Sequence, residues 1–167
     1  MFRGTHEAKV DDKGRLKLPA DFMKLVEAKN YGPVFFITSR DGRKTEVWPM
    51  HEWETEEAKK AILPEDDPAK IAWMQIVNHF GGVVEIDKQD RLMLPKKIRD
   101  RFSLVNAEVV VTGQQKFLTV QTEQEAAQEI AGLLAPSDDS AKLMNIADAR
   151  LILAKRESSR DTGNQGS

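Results

Sequence analysis

The chain has 167 residues, of which 40% are hydrophobic and 31% charged, and its formal net charge is −2. This composition is typical of a globular protein rather than a disordered one, and no apolar run approaches the ~20 residues that span a bilayer. Cysteine is absent, which excludes disulfides and thiolate metal sites. The N-terminal segment MFRGTHEAKV lacks the apolar core of a signal peptide, so we expect a cytoplasmic protein without a membrane partner.

The first predicted unit, residues 1–50, opens with the alternating segment EAKVD, then a turn, then a second alternation at Leu16 and Leu18. This period of two predicts a half-buried β-hairpin. Pro19 ends the second strand, because proline cannot continue a ladder and suits the first turn of a helix. A short helical pattern and two further strands, PVFFITS and TEVWP, complete a β-β-α-β-β unit.

The predicted insert, residues 51–80, is helical. HEWETEEAKKAIL is acidic at its start and basic later, as the helix dipole favours. A second helix is predicted to begin at Pro68 with Asp67 as its N-cap. Its apolar residues recur at helical spacing and predict one apolar stripe, which can belong to the core or to a subunit interface. The stripe comprises Ala69, Ala72, Trp73, Ile76, Val77 and Phe80. We interpret Trp73, like Trp48 and Trp53, as core or subunit interface.

The second unit, residues 81–123, repeats the first. IDKQDRLMLP (86–95) follows VDDKGRLKLP (10–19) at an offset of 76 positions, with Asp, Arg, Leu, Leu and Pro at the same places. Gly14 can take the positive φ that the first turn needs. Asp90 stands at the equivalent position, and we expect it to adopt the same conformation at some energetic cost. Two C-terminal helices are predicted within residues 124–155, and the polar segment 156–167 is predicted to be disordered.

Positive charge is concentrated around the repeated phrase. Residues 1–19 carry five Lys/Arg against three acids and residues 85–101 carry six against four, whereas residues 51–68 carry seven acids and two lysines. A local excess of positive charge of this kind indicates where an anion binds. The predicted phosphate contacts are Lys13, Lys17, Lys88 and Arg3. A further basic group is predicted to line an exposed helix face, namely Lys96, Lys97, Arg99 and Arg101.

Each copy of the phrase contains an Asp-x-x-x-Arg pair, Asp11 with Arg15 and Asp87 with Arg91. Across a hairpin these positions lie nearly opposite, which predicts an ion pair. Such a pair can simply close a turn. Arginine also presents a planar fork that suits guanine edges or phosphates, and a carboxylate behind it would hold that fork in place. Two copies at one spacing, each in a basic setting, favour the second interpretation.

The segments MFRG, DDKGRLKLP and DKQDRLMLP resemble the MraZ family, bacterial two-copy relatives of the AbrB-type swapped-hairpin DNA-binding proteins, over roughly residues 1–125. The resemblance implies an α+β fold in which two tandem ββαββ repeats, with a helical insert, close one β-barrel with pseudo-two-fold symmetry.

The resemblance also implies a function. It implies a homo-oligomeric ring, associated with the nucleoid, that binds short direct repeats in double-stranded DNA. These repeats lie upstream of the division and cell-wall gene cluster, whose transcription the family regulates. Arg15 and Arg91 would contact DNA, and Asp11 and Asp87 would orient them.

The sequence also bears on two other classes of function. An enzyme is disfavoured, because the three histidines, His6, His51 and His79, lack metal-ligand spacing and the chain has no phosphate-cradling glycine loop or nucleophile elbow. We therefore expect no catalytic residues, metal or cofactor. A scaffold or antitoxin-like protein-binding oligomer with this same fold stays open as an alternative, and in it the arginines would be purely structural.

Overall fold

The computed structural model describes residues 1–135, 146–147 and 150–155. The chain divides into two compact units, Met1–Ala126 and the residues from Ala127 onward. The strands are β1 (Thr5–Val10), β2 (Arg15–Lys17), β3 (Val34–Thr38), β4 (Thr45–Pro49), β5 (Gly82–Glu85), β6 (Arg91–Met93), β7 (Ala107–Gly113) and β8 (Leu118–Thr122). The helices are α1 (Ala20–Ala28), α2 (Met50–Ala61), α3 (Pro68–Phe80), α4 (Lys96–Phe102) and α5 (Glu123–Leu134).

The eight strands form one antiparallel sheet in the order β5-β3-β4-β8-β7-β1-β2-β6. The two edge strands, β5 and β6, follow each other in the chain and are joined by a tight turn, so the sheet is a nearly closed barrel. Near-closure leaves little unpaired backbone at an edge. The predicted mixed fold with a β-barrel of two ββαββ repeats is confirmed.

Strand pairing interlocks the two repeats. Strand β1 pairs with its own hairpin partner β2 only at Val10↔Leu16, whereas it pairs with β7 of the other repeat along its whole length, from Thr5↔Thr112 to Val10↔Ala107. In the same way β3 of the first repeat pairs with β5 of the second. Each repeat thus supplies the ladder that the other needs, which explains why the same phrase occurs twice.

The inward side chains of the strands form the barrel core. Leu16 and Leu92 face each other across the β2–β6 pairing and are both fully buried. They are joined by inward residues of the other strands and of α1 and α4, including Val10, Phe22, Phe35, Ile98, Phe102, Val109 and Val111. The alternation of buried and exposed residues that predicted the hairpins is the pattern that fills this interior.

The insert helices are attached by a second cluster made of Phe36, Trp48, Trp53 and Val77. Trp48 and Trp53 are each only 2% exposed and belong to the core, whereas Trp73 is half-buried against this cluster. The indole N–H of Trp48 donates to the buried carboxylate of Glu46, 2.9 Å away. These contacts hold α2 and α3 against the strands without reaching the β2–β6 pairing.

Helix α3 begins as predicted, but its apolar stripe is only partly buried. The Asp67 side chain accepts hydrogen bonds from the backbone of Ala69 and Lys70. Val77 is buried, whereas Ile76 is 41% exposed. Ala69 and Ala72 are exposed as well, because the helix packs on the second cluster through one edge of the stripe only.

The first predicted C-terminal helix is α5. Residues 146, 147 and 150–155 are helical within the region of the second predicted helix, and the remainder of that helix lies outside the described residues. The tail predicted for residues 156–167 also lies outside them. Within the described part of the chain, none of the helices has the length and apolarity that a bilayer crossing requires.

Candidate nucleic-acid interface

The first tip, residues 11–15, is a turn organised around the carboxylate of Asp11. One oxygen, Oδ1, accepts the backbone N–H of Lys13 at 3.0 Å and that of Arg15 at 2.9 Å. The other oxygen, Oδ2, accepts Nε of Arg15 at 2.7 Å. Gly14, with φ +83°, closes the turn by donating its N–H to the Asp11 carbonyl. The predicted ion pair is present and is charge-assisted.

The second tip, residues 87–91, repeats this arrangement. Asp87 Oδ1 accepts the backbone N–H of Gln89 at 2.8 Å and of Arg91 at 3.0 Å, and Oδ2 accepts Nε of Arg91 at 2.8 Å. Asp90 has φ +60°, which confirms that it adopts the left-handed conformation of Gly14. The turn therefore survives the replacement of glycine, although a non-glycine residue is less stable there.

The ion pairs use only the Nε atom of each arginine and leave its two terminal nitrogens unpaired. Both Asp11 and Asp87 contact the side nitrogen, Nε, and the terminal nitrogens of Arg15 and Arg91 make no hydrogen bond to any residue that the structure describes. The two side chains are 26% and 27% exposed. Each guanidinium is thus held in orientation from behind, and its terminal fork can reach a ligand.

Hydrogen bonding keeps both carboxylates ionised. The backbone hydrogen bond from Arg15 is the largest influence on Asp11, and it lowers the pKa of that carboxyl below the ordinary value of 3.8. For Asp87, partial burial acts to raise the pKa, but the backbone N–H groups of Arg91 and Gln89 together with the Arg91 side chain lower it overall. Both tips therefore keep their ion pairs at any pH near neutrality.

We expect the backbone amide NMR signals of Arg15 and Arg91 to titrate at acid pH with midpoints below 3.8, because each amide donates to a carboxylate with a lowered pKa. A lowered folded pKa means that the carboxylate stabilises the tip above its unfolded pKa, and that this contribution disappears as the pH falls through the folded pKa. Asp11→Asn should abolish the titration of Arg15 and leave that of Arg91 intact. Midpoints at or above 3.8 would contradict the assignment.

The antiparallel β2–β6 pairing places the two tips at opposite ends of one short two-stranded ribbon. Arg15 lies opposite Met93, and Lys17 lies opposite Arg91. Since successive side chains of a strand alternate between faces, these four point outward while Leu16 and Leu92 point into the core. Arg15 and Arg91 are diagonal neighbours, and their Cα atoms are expected to lie about 7–8 Å apart. The outward face of this two-stranded ribbon, β2 with β6, therefore carries a compact group of three cations, Arg15, Lys17 and Arg91.

The remaining predicted contacts divide into two groups. Lys13 and Lys88 are exposed within the turns themselves, and Lys17 is exposed on the ribbon. Arg3 precedes β1, at the end of that strand remote from the first tip, and six residues of strand separate it by about 20 Å. The structure brings the three lysines together with Arg15 and Arg91 but places Arg3 elsewhere, so a DNA contact at Arg3 stays a prediction without support from this geometry.

The basic residues of α4 are not one exposed face. Lys96, Lys97 and Arg101 are exposed, as predicted. Arg99 is half-buried, and its side chain packs against Gly14 in the first tip. The prediction was wrong for Arg99. Helical periodicity indicates which residues share a face of α4, but it does not indicate what that face packs against. The contact with Gly14 depends on the interlocking of the two repeats. No local signal in the sequence indicates it.

Comparison with known proteins identifies relatives over most of the chain. Residues 1–72 match the family model described as "MraZ protein, putative antitoxin-like". A protein of Acidobacterium capsulatum named transcriptional regulator MraZ is 46% identical over 124 residues, which cover 74% of this chain and 84% of the relative. A protein of the same name from Koribacter versatilis is 37% identical over 146 residues, covering 87% and 99%. Another, from Neisseria meningitidis, is 30% identical over 153 residues, covering 90% and 100%.

Proposed function

This chain belongs to the MraZ family, and on that premise we propose that it regulates transcription by binding specific sequences in double-stranded DNA. The observation that carries the proposal is the ribbon of β2 and β6, whose outward face presents two arginines oriented by carboxylates. The major groove of B-DNA is wide enough to admit a two-stranded β-ribbon. The ribbon would enter this groove with its outward face toward the bases.

The ribbon residues divide by chemistry into two roles. Arg15 and Arg91 approach base edges, because a fixed guanidinium fork matches the O6 and N7 acceptors of guanine. The flexible ammonium groups of Lys13, Lys17 and Lys88 suit phosphates, which fix the position of the protein on the duplex without reading its sequence. Asp11 and Asp87 orient the arginines and do not contact DNA in this proposal.

We further propose that the chain acts as a homo-oligomeric ring in the cytoplasm, associated with the nucleoid. The ring would bind short direct repeats upstream of the division and cell-wall gene cluster, as the family resemblance implies. Large apolar side chains are exposed on and beside the insert, among them Ile62, Ile71, Met74, Ile76 and Val83. Their exposure supports an assembly that covers them. Several protomers that engage neighbouring repeats gain affinity through effective concentration.

We expect the full chain to bind duplex DNA from upstream of its own coding region more tightly than a scrambled duplex, with an affinity that falls steeply as salt increases. Each phosphate neutralised contributes about −0.9 to the slope of log K against log salt, so three lysines predict about −3 for each protomer that contacts the duplex. Gel-shift or fluorescence anisotropy titrations at several salt concentrations measure this slope.

The same titrations distinguish the alternative. A duplex with several repeats should bind more tightly than an equal number of separate single-repeat duplexes. A flat salt response, or equal affinity for upstream and scrambled DNA, would overturn the proposal. That result would favour the protein-binding scaffold or antitoxin-like oligomer, in which Arg15 and Arg91 only close their turns.

A further inference from the structure

Arg99 lies across the first tip although it belongs to the second repeat. A methyl group added at Gly14 would collide with the Arg99 side chain and would lie 3.0 Å from its Nε and 3.1 Å from its Nη1. A larger residue at position 14 would therefore displace the Arg99 side chain, and the φ of +83° also suits glycine. The stem of Arg99 covers the turn that holds Lys13 and Arg15.

The charge of Arg99 has no partner among the residues that the structure describes. Its Nε is buried and makes no hydrogen bond, and no carboxylate of the described chain lies within ion-pair distance. Burying an N–H donor without an acceptor is costly, and arginine cannot lose its proton to avoid that cost. Arg99 as a whole is only half-buried, so its guanidinium can still meet an acceptor outside the chain.

We infer that Arg99 is a further DNA-contacting residue, which binds a backbone phosphate beside the first tip. Helix α4 of the second repeat thereby completes the binding surface of the first. This inference rests on the proposed function, since the acceptor it names is a phosphate of the duplex that the ribbon binds. A guanidinium with free terminal nitrogens is well suited to a phosphate oxygen pair.

The two tips differ in the residues at their turns and in the residues that pack against them. At the offset of 76 positions, the residue equivalent to Arg99 is Met23, which is buried, and the residue equivalent to Gly14 is Asp90. The first tip thus combines a glycine with an additional cation, where the second has a carboxylate and a methionine. Each turn by itself carries two carboxylates and two cations, so Arg99 is what makes the first tip the more positive of the two and the stronger anchor on DNA.

The test compares three variants of the full chain on the upstream duplex across salt concentrations. Arg99→Met keeps an unbranched stem over Gly14 and copies the residue found at position 23. We expect it to reduce the salt slope by about 0.9 for each contacting protomer, which weakens binding about eightfold at 0.1 M salt. Arg99→Lys keeps the charge and should keep the slope. Lys97→Met removes an equal charge from an exposed position on the same helix and should leave the slope near that of the unchanged protein.

Thermal unfolding of each variant separates binding from folding, because Arg99→Met removes a buried unpaired N–H and should leave the melting temperature unchanged or raise it. An unaltered slope in Arg99→Met would overturn the inference while leaving the proposed function in place. An equal loss in Lys97→Met would also overturn it, because the effect would then be one of net charge. If the unchanged protein itself shows no salt-dependent binding, the proposed function fails, and the inference fails with it.

Discussion

Replacing both Arg15 and Arg91 with alanine is expected to abolish sequence-specific DNA binding while the barrel remains folded. A guanidinium that reads a guanine edge contributes about 1–3 kcal/mol of discrimination. Loss of both should cost about 2–6 kcal/mol of binding free energy, or roughly 30-fold or more in Kd. Fluorescence anisotropy with upstream and scrambled duplexes measures both the affinity and the preference between them.

The fold should tolerate this double change because both side chains lie on the outward face of the ribbon and not in the core. The matched control is the double variant Arg43→Ala with Arg101→Ala, which removes the same charge from exposed positions outside the ribbon. Circular dichroism and melting temperature report on folding. If the Arg15 and Arg91 variant unfolds before it loses DNA binding, the ion pairs are structural and the proposed reading role is wrong.

Leu16→Ala and Leu92→Ala are each expected to lower the free energy of unfolding by about 2–5 kcal/mol, the usual cost of truncating a fully buried leucine. Both side chains are 0% exposed and face each other at the centre of the barrel. Since the two repeats share their ladders, either variant should weaken the whole barrel. Denaturant unfolding, followed by tryptophan fluorescence and by circular dichroism, should therefore show one transition at a lower midpoint.

Met93→Ala is the control for these truncations. Met93 is the residue next to Leu92 on β6, and it is 43% exposed on the outward face. An exposed truncation of this kind usually changes stability by less than about 0.5 kcal/mol. Two separate transitions in Leu92→Ala, one of them at the original midpoint, would show that the repeats fold independently and would contradict the interlocked arrangement.

Local features of the fold could be predicted from sequence, whereas the partners of the strands could not. The alternation around Leu16 and Leu92 predicts both hairpins because a half-buried strand must repeat every two residues. The Asp67 cap and the turn at Asp90 are similarly local. The pairing of β1 with β7 joins residues about a hundred positions apart, and no short pattern encodes that choice. In the sequence, the doubled phrase and the family resemblance are what indicate this pairing.

In the candidate site, too, the local features could be predicted from sequence, whereas the contacts between repeats could not. The ion pairs at Arg15 and Arg91 follow from a fixed spacing within one turn, so the sequence was sufficient to predict them. The contact of Arg99 with Gly14 joins two repeats, and the helical pattern of α4 predicted only exposure for that arginine. The separation of Arg3 from the tips likewise depends on the direction of β1, which charge clustering along the chain does not reveal.

Joining two hairpins in one polypeptide has a consequence for the sequences that such a protein can recognise. In a homodimer with one hairpin per chain, every substitution appears twice, and such proteins favour palindromic targets that mirror their own symmetry. Here each tip can change alone, as the pairs Gly14 and Asp90, and Arg99 and Met23, illustrate. In the proposed function, a single protomer would therefore match a DNA site whose two halves differ, and it would have a defined direction along the duplex.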